Sequence, residues 1–195
     1  YSFRGRGPSF DNFNTLFTLK YSPNSTNIMT PQGKSLIDQK YPEVYFNYEQ
    51  SYKIFGGDFD YTRFDALLVH NFKTMFGTTG FRLYGGMVFG DAPIWKNFTM
   101  NGLASSRKDF NFNLTSFLGF ATLEGGKYYN DRFIAYYFTH KIPWYFKSFG
   151  QNISSFDFVL RGTTGNMKHP DYHQFRFRPL DHLYQEVGLE WNNFL

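Results

Sequence analysis

From Asp131 to Arg161 the chain reads DRFIAYYFTHKIPWYFKSFGQNISSFDFVLR. In its first half Arg132, Ile134, Tyr136, Phe138 and His140 fall on one side, and Phe133, Ala135, Tyr137, Thr139 and Lys141 on the other. Its second half sets Phe156, Phe158 and Leu160 against Asp157, Val159 and Arg161. A period of two is the mark of a strand whose faces meet different environments. Between the halves, Pro143 is expected to end the ladder and Gly150 to permit a turn. The stretch therefore predicts a long β-hairpin with large aromatic residues at one end. One side is rich in Ile, Tyr and Phe and the other keeps Tyr and Thr, so neither is an ordinary wet face. That pattern is expected of a hairpin in a barrel set in lipid.

The same alternation recurs along the chain. Phe13 to Tyr21, Glu43 to Lys53, Phe59 to Lys73, Phe81 to Phe89 and Tyr184 to Asn192 each read as strands, which with the hairpin makes seven. Gly56-Gly57-Asp58 and MFGTTG read as turns, and Gly85-Gly86 as a bend or a close backbone approach. Ser22 to Lys40, Asp91 to Asn130 and Gly162 to His182 read as long connections, the second with room for a strand at Phe110 to Phe120. Strand parity puts the last two on one side, as the outer loops of a barrel should be, and Ser22–Lys40 on the other. Strands of about ten residues match a tilted crossing of a bilayer. The expected fold is an all-β antiparallel transmembrane β-barrel. Val44, Phe46, Tyr48, Ile134, Tyr136, Phe138, Val187, Leu189 and Trp191 are expected to face lipid. Tyr45, Glu49, Glu186 and Glu190 are expected to face the lumen.

Composition supports this and closes other routes. There are 26 Phe and 15 Tyr, with aromatics at 23%, yet mean hydropathy is −0.46. Aromatic wealth at low mean hydropathy fits a wall in which only alternate residues meet lipid and aromatic girdles mark the interfaces. No run approaches the ~20 apolar residues of a membrane helix, which excludes a helical membrane protein. With no cysteine, there is no disulfide framework and no thiolate metal site. A net charge of +4 suits an anionic lipid surface and is too small to argue for nucleic acid. No export signal opens the sequence at Tyr1, so a mature piece or a fragment is expected. A soluble sandwich or lipocalin-like barrel is the competing architecture, but strands of ordinary soluble sheets are shorter.

Few residues suggest chemistry. Glu186 and Glu190 share a face about 13 Å apart along a strand, too far for a glycosidase pair. His169, Asp171 and His173 in HPDYH alternate as metal ligands can, but a structural zinc wants four. Phe175-Arg176-Phe177-Arg178 interleaves rings and cations as single-strand nucleic-acid binders do; at a strand end it reads as an interfacial girdle facing lipid phosphate. Asn24, Asn97, Asn113 and Asn152 open N-x-S/T triplets that chance explains in so Asn-rich a chain. His140, Asp157, His169, Asp171 and His182 are available to a rim-site hydrolase, without any sign that two of them meet. No catalytic set, metal or cofactor is expected.

The segments GMVFGDAPIWKNFTMNG, NDRFIAYYFTHKIP, VLRGTTGN and YQEVGLEWNN resemble the C-terminal barrel half of the BamA/TamA-type surface-antigen superfamily. TPQGKSLIDQKYPEVYFNYEQ and FDYTRFDALLVHNF are similar to segments of its Bacteroidota branch, in which a carboxypeptidase-regulatory-like domain precedes the barrel. The resemblance implies that residues 1–195 are part of a roughly sixteen-stranded barrel, about strands eight to fourteen, with further strands after Leu195. It implies that Pro93 to Arg107, with Pro93, Phe98 and Arg107 as its candidates, belongs to a large loop folded into the lumen. Two positions depart from the family pattern: Ser105-Ser106-Arg107 stands where a Val-Arg-Gly-aromatic tip is usual, and Val159-Leu160-Arg161-Gly162 lacks the acidic wall residue. The implied role is outer-membrane protein biogenesis or translocation, without enzymatic activity. The implied partners are outer-membrane lipid, lipopolysaccharide and other outer-membrane proteins or lipoproteins. A structural or accessory barrel subunit is the alternative, and a rim-site hydrolase the third.

Overall fold

The computed structural model describes residues 10–31, 33–39, 41–100, 102–104, 118–145, 153–173 and 176–192. In chain order the strands are β1 (Phe13–Tyr21), β2 (Ser25–Thr30), β3 (Gly33–Gln39), β4 (Glu43–Tyr52), β5 (Tyr61–Thr74), β6 (Gly77–Gly90), β7 (Phe98–Thr99), β8 (Gly102–Ala104), β9 (Phe120–Glu124), β10 (Tyr129–Asn130), β11 (Arg132–Tyr145), β12 (Ile153–Asn166) and β13 (Tyr184–Asn192). Seven of them form one antiparallel sheet in the order β1-β4-β5-β6-β11-β12-β13, a meander of sequence neighbours. These are the seven strands that alternation marks. Among the described residues no helix is long and apolar enough to cross a membrane.

Because side chains alternate along each strand, register decides what each face presents. One rung crosses the whole sheet as Tyr21, Val44, Leu68, Leu83, Tyr136, Gly162 and Gln185. Its face carries Phe, Leu, Ile and Tyr from every strand. Large side chains stand open on it, including Phe17, Leu19, Phe89, Ile134, Val187 and Leu189, the last at 78% exposure. The opposite face carries Glu49, Arg63, Asp65, Arg82, Tyr137, Asp157, Arg161 and Glu186. Beyond β1, which is exposed along its length, it is covered: the buried cluster of Phe59, Tyr61, Val88, Phe98, Met100, Phe120, Leu123, Phe133, Ala135, Tyr137 and Leu180 lies there. Phe98, Met100, Phe120 and Leu123 come from the β6–β11 connection, and Leu180 from the β12–β13 connection.

Both connections leave from the same end of the sheet, the lower end marked by Tyr52, Tyr61, Gly90, Arg132, Asn166 and Tyr184. Several expectations are corrected. Ser22–Lys40 is not a plain connection: β2 and β3 pair as a hairpin within it. Pro143 does not end its ladder, since β11 and β12 stay paired to Tyr145↔Ile153. It stands past the last rung with β6, Lys141↔Thr78, where a missing N–H leaves no bond unmade on that side. β12 runs on through Gly162, Thr163 and Thr164 to Asn166. The β5–β6 turn shrinks to Met75 and Phe76, because Thr74 pairs with Gly77. The Asp91–Asn130 stretch is not bare loop but holds β7 to β10 and a 3-10 turn at Ile94–Lys96. Of the strand expected at Phe110 to Phe120, only Leu118, Gly119 and Phe120 lie among the described residues, and β9 begins at Phe120.

Candidate functional site: the covered face and its insertion

The covered face is built around two carboxylates, one toward each edge of the sheet. On β4, Glu49 Oε1 accepts hydrogen bonds from Asn14 Nδ2 of β1 at 2.6 Å and from Tyr61 Oη of β5 at 2.8 Å. It also meets Lys96 Nζ of the insertion at 2.5 Å. Burial works against the charge of Lys96, but the Glu49 carboxylate outweighs it and holds the ammonium above the ordinary lysine value. A buried ion pair needs such extra donors, because desolvation alone would make it unfavourable.

One strand further in, Asp65 accepts from Asn47 Nδ2 at 2.9 Å. The Arg63 guanidinium lies 4.5 Å from the centre of the Phe98 ring, a cation–π contact. Phe98 also packs on Phe133 at 4.6 Å. What lets it come so close is Gly86: a Cβ there would sit 2.5 Å from Phe98 Cζ and 2.8 Å from the Phe64 carbonyl oxygen. The Gly85-Gly86 pair thus makes the close approach its sequence suggests.

Toward the other edge, Glu186 of β13 is an acceptor hub. Its carboxylate takes the backbone N–H of Ala121 at 3.0 Å, the N–H of Thr122 at 3.1 Å and the Thr122 hydroxyl at 3.1 Å. On its strand side it pairs with Arg161 Nη1 at 3.1 Å. The same guanidinium reaches Glu190 with Nη2 at 2.5 Å. One cation therefore bridges the two carboxylates: the Glu186 side chain is only 9% exposed, while that of Glu190 is 36% exposed. Between the hubs, Tyr137 Oη donates to the Leu118 carbonyl at 3.0 Å and Thr163 Oγ1 to Met100 Sδ at 3.2 Å. From the β12–β13 connection, Leu180 N donates to Asn130 Oδ1 at 2.9 Å, while its carbonyl accepts from Gly165 N at 2.7 Å.

The expected site residues separate cleanly by face. Val44, Phe46, Tyr48, Ile134, Tyr136, Phe138, Val187, Leu189 and Trp191 all lie on the open apolar face; Trp191 stacks on Phe156 at 5.2 Å. Tyr45, Glu49, Glu186 and Glu190 lie on the covered face. Pro93 and Phe98 belong to the segment packed over that face, while Arg107 lies outside the described residues. His169, Asp171 and His173 do not converge. His169 stacks on Tyr172 and His173 sits edge-on to Phe177, and no group of three metal-binding side chains gathers among the described residues. His140 hydrogen-bonds Thr79 at 2.9 Å, and His182 meets Asp181 at 3.2 Å. No bond joins any two of His140, Asp157, His169, Asp171 and His182 among the described residues. The Arg176–Arg178 segment is not on a strand of the sheet. Phe177 packs on Tyr129, and Arg178 exchanges backbone bonds with Lys127 and Tyr129. Lys96, Arg63, Arg161 and Asn130 are the members that sequence reasoning did not single out. Alternation placed Arg161 opposite Leu160, but nothing local identified its partners.

These features define a class: an antiparallel meander with one open apolar face and one ionic face packed under its own insertion. The chain belongs to the family described as "Family of unknown function (DUF5686) C-terminal domain", whose model matches residues 6–149. No curated protein and no solved structure matches it.

Proposed function

We propose that the seven-stranded sheet is part of the wall of a bacterial outer-membrane β-barrel, with the open face on lipid and the insertion filling the interior. The observation that carries this is the slope of the apolar band. Hydrogen-bond rungs run perpendicular to strands, so a level lipid slab crossing tilted strands must climb relative to the rungs. On β1 the apolar run from Phe13 to Tyr21 centres on Phe17. The rung of Phe17 passes through Tyr48, Phe64, Met87 and Arg132 and reaches β12 at Asn166. The apolar run of β12 centres on Phe158, eight residues further up the strand. Eight residues at about 3.3 Å is roughly 26 Å of climb, over five inter-strand steps of about 4.8 Å, or roughly 24 Å. The slope is about 45°, within the range of strand tilt in outer-membrane barrels. The 14-residue strands β5, β6, β11 and β12 would be roughly 46 Å long. Tilted so, they cover about 33 Å of depth, enough for a hydrocarbon core of about 30 Å.

In this reading β1 and β13 are not final edges, because unpaired strand edges are not tolerated in lipid; the barrel closes through further strands. The interior is filled by a packed segment and is not an open pore. The proposed role is outer-membrane protein biogenesis or translocation, with lipid, lipopolysaccharide and other outer-membrane proteins as neighbours. The test is depletion of the full-length protein in its own cells, with quantitative proteomics of outer-membrane fractions. The reading expects the protein in that fraction, resistant to carbonate extraction, and a fall in several other barrel proteins on depletion. Recovery in the carbonate supernatant would overturn the wall. Unchanged levels of every other barrel protein would overturn the biogenesis role and leave a structural subunit.

A further inference from the structure

At the lower end of the sheet, the β4–β5 turn, the start of the insertion and the β12–β13 connection enclose a cavity of about 650 Å³. That is well within the range of pockets that hold small organic ligands, about 300–1,000 Å³. Its floor is apolar and closed, with Phe59, Val88 and Met167 each under one-tenth exposed. Set into this floor is Asn97. The residue is 8% exposed, and its backbone N–H is used by the Ile94 carbonyl, yet its side-chain amide makes no hydrogen bond to any described residue. The amide lines the cavity, so both its donor and its acceptor are available to whatever occupies it. Across the cavity, Asp131 Oδ2 accepts the Lys168 N–H at 2.7 Å, while Asp131 Oδ1 is closed off from solvent and lies 3.9 Å from Arg132 Nε. At the mouth, Tyr172 lies flat on His169, centroids 4.8 Å apart and planes 9° from parallel. Tyr172 is 69% exposed.

We infer that this cavity binds a short, neutral oligosaccharide. The charges argue against an ionic ligand. Lys53 at the rim is already paired with Asp91 at 3.2 Å, and three aspartates there face two lysines, so neither sign dominates. What remains unspent is an amide that both donates and accepts and an exposed aromatic ring at the mouth. Sugar hydroxyls donate and accept together, and the C–H face of a pyranose lies on an aromatic ring. Asn97 would take a hydroxyl pair, and the Tyr172 ring would carry the apolar face of a sugar at the mouth. This inference stands on the cavity alone and does not require the sheet to lie in lipid.

The experiment is saturation-transfer NMR on the full-length protein with lactose, cellobiose, maltotriose and the chitin trimer, with glucose 6-phosphate as the charged comparison. The expected result is saturable binding of at least one neutral saccharide, weakened tenfold or more by Asn97→Ala and by Tyr172→Ala and unchanged by Phe76→Ser at the far end. Tyr172 is exposed, so its variant remains informative if Asn97→Ala disturbs folding. Binding of none of the four neutral saccharides would overturn the inference. So would binding kept within twofold in both variants, or displacement of the saccharide by glucose 6-phosphate.

Discussion

Replacing Glu186 by alanine should free the second half of the insertion from the sheet while leaving the first half in place. The carboxylate holds two backbone N–H groups, a hydroxyl and the Arg161 guanidinium. Breaking a buried ion pair by removing one partner costs about 3–5 kcal/mol, and the lost bonds to the half-buried Ala121 N–H and the exposed Thr122 N–H add less, because water replaces them. These do not simply add. Arg161 keeps Glu190, and a released strap rehydrates its own amides. A net cost of about 3 kcal/mol follows, smaller for Glu186→Gln, which keeps the shape and one carbonyl acceptor. Hydrogen exchange followed by mass spectrometry or NMR reads this directly. About 3 kcal/mol corresponds to roughly a hundredfold loss of protection, and it should appear at Ala121 and Thr122. Protection of the Asn97 amide, bonded to Ile94 near the Lys96–Glu49 anchor, should be unaffected. Unchanged protection at Ala121 and Thr122 would refute the latch. An equal loss at Asn97 would show that the insertion opens as one piece and that the two anchors are not independent.

Other perturbations have definite expected outcomes. Gly86→Ala should cost about 1–3 kcal/mol by overpacking, measured by denaturant titration; a neutral result would mean Phe98 does not sit against that backbone. Phe98→Ala should cost about 3–5 kcal/mol in the same assay. Leu189→Arg should destabilise by about 2–4 kcal/mol if the residue meets the middle of a bilayer, and by almost nothing if its 78% exposure is to water. His173 is pushed below the ordinary histidine value by burial, so its NMR titration midpoint should fall below about 6.5. Since the unfolded chain then binds the proton more readily, the contribution of His173 is full above that value and declines as pH falls through the window beneath it.

How much of this was legible in the sequence follows from what each feature depends on. The seven strands of the sheet were readable because alternation is local: Val44, Phe46 and Tyr48 announce a face without reference to any partner. Gly85-Gly86 was readable as a close approach because glycine leaves few other reasons to be there, though Phe98 as the neighbour was not. The hairpin β2–β3 was hidden because Pro23, Pro31 and Gly33 punctuate it as a loop, and its bulge between Thr26 and Asn27 breaks the period. The end of β12 was hidden because Gly162, Thr163 and Gly165 look like turn chemistry. Gly162 in fact lies under the Tyr136 ring and Gly165 makes room for Asn130. Of the ionic hubs, the face of Glu49, Glu186 and Glu190 was readable from alternation, but their partners were not. Lys96 and Glu49 are 47 residues apart, and nothing near either one names the other.

The most direct test of the central claim is a single-cysteine spin-label scan through Gln185 to Trp191 and Arg132 to Ile142 in lipid, made simple because the chain has no native cysteine. A period of two in oxygen accessibility is expected. Ile134, Tyr136, Phe138, Val187, Leu189 and Trp191 should be high in oxygen and low in a water-soluble nickel reagent, while Phe133, Ala135, Tyr137, Glu186 and Gly188 should be low in both. Depth should rise from Arg132 and Gln185 toward the middle of each strand. Equal or greater accessibility of Leu189, Val187 and Ile134 to the nickel reagent would contradict the account, because the open face would then be facing water.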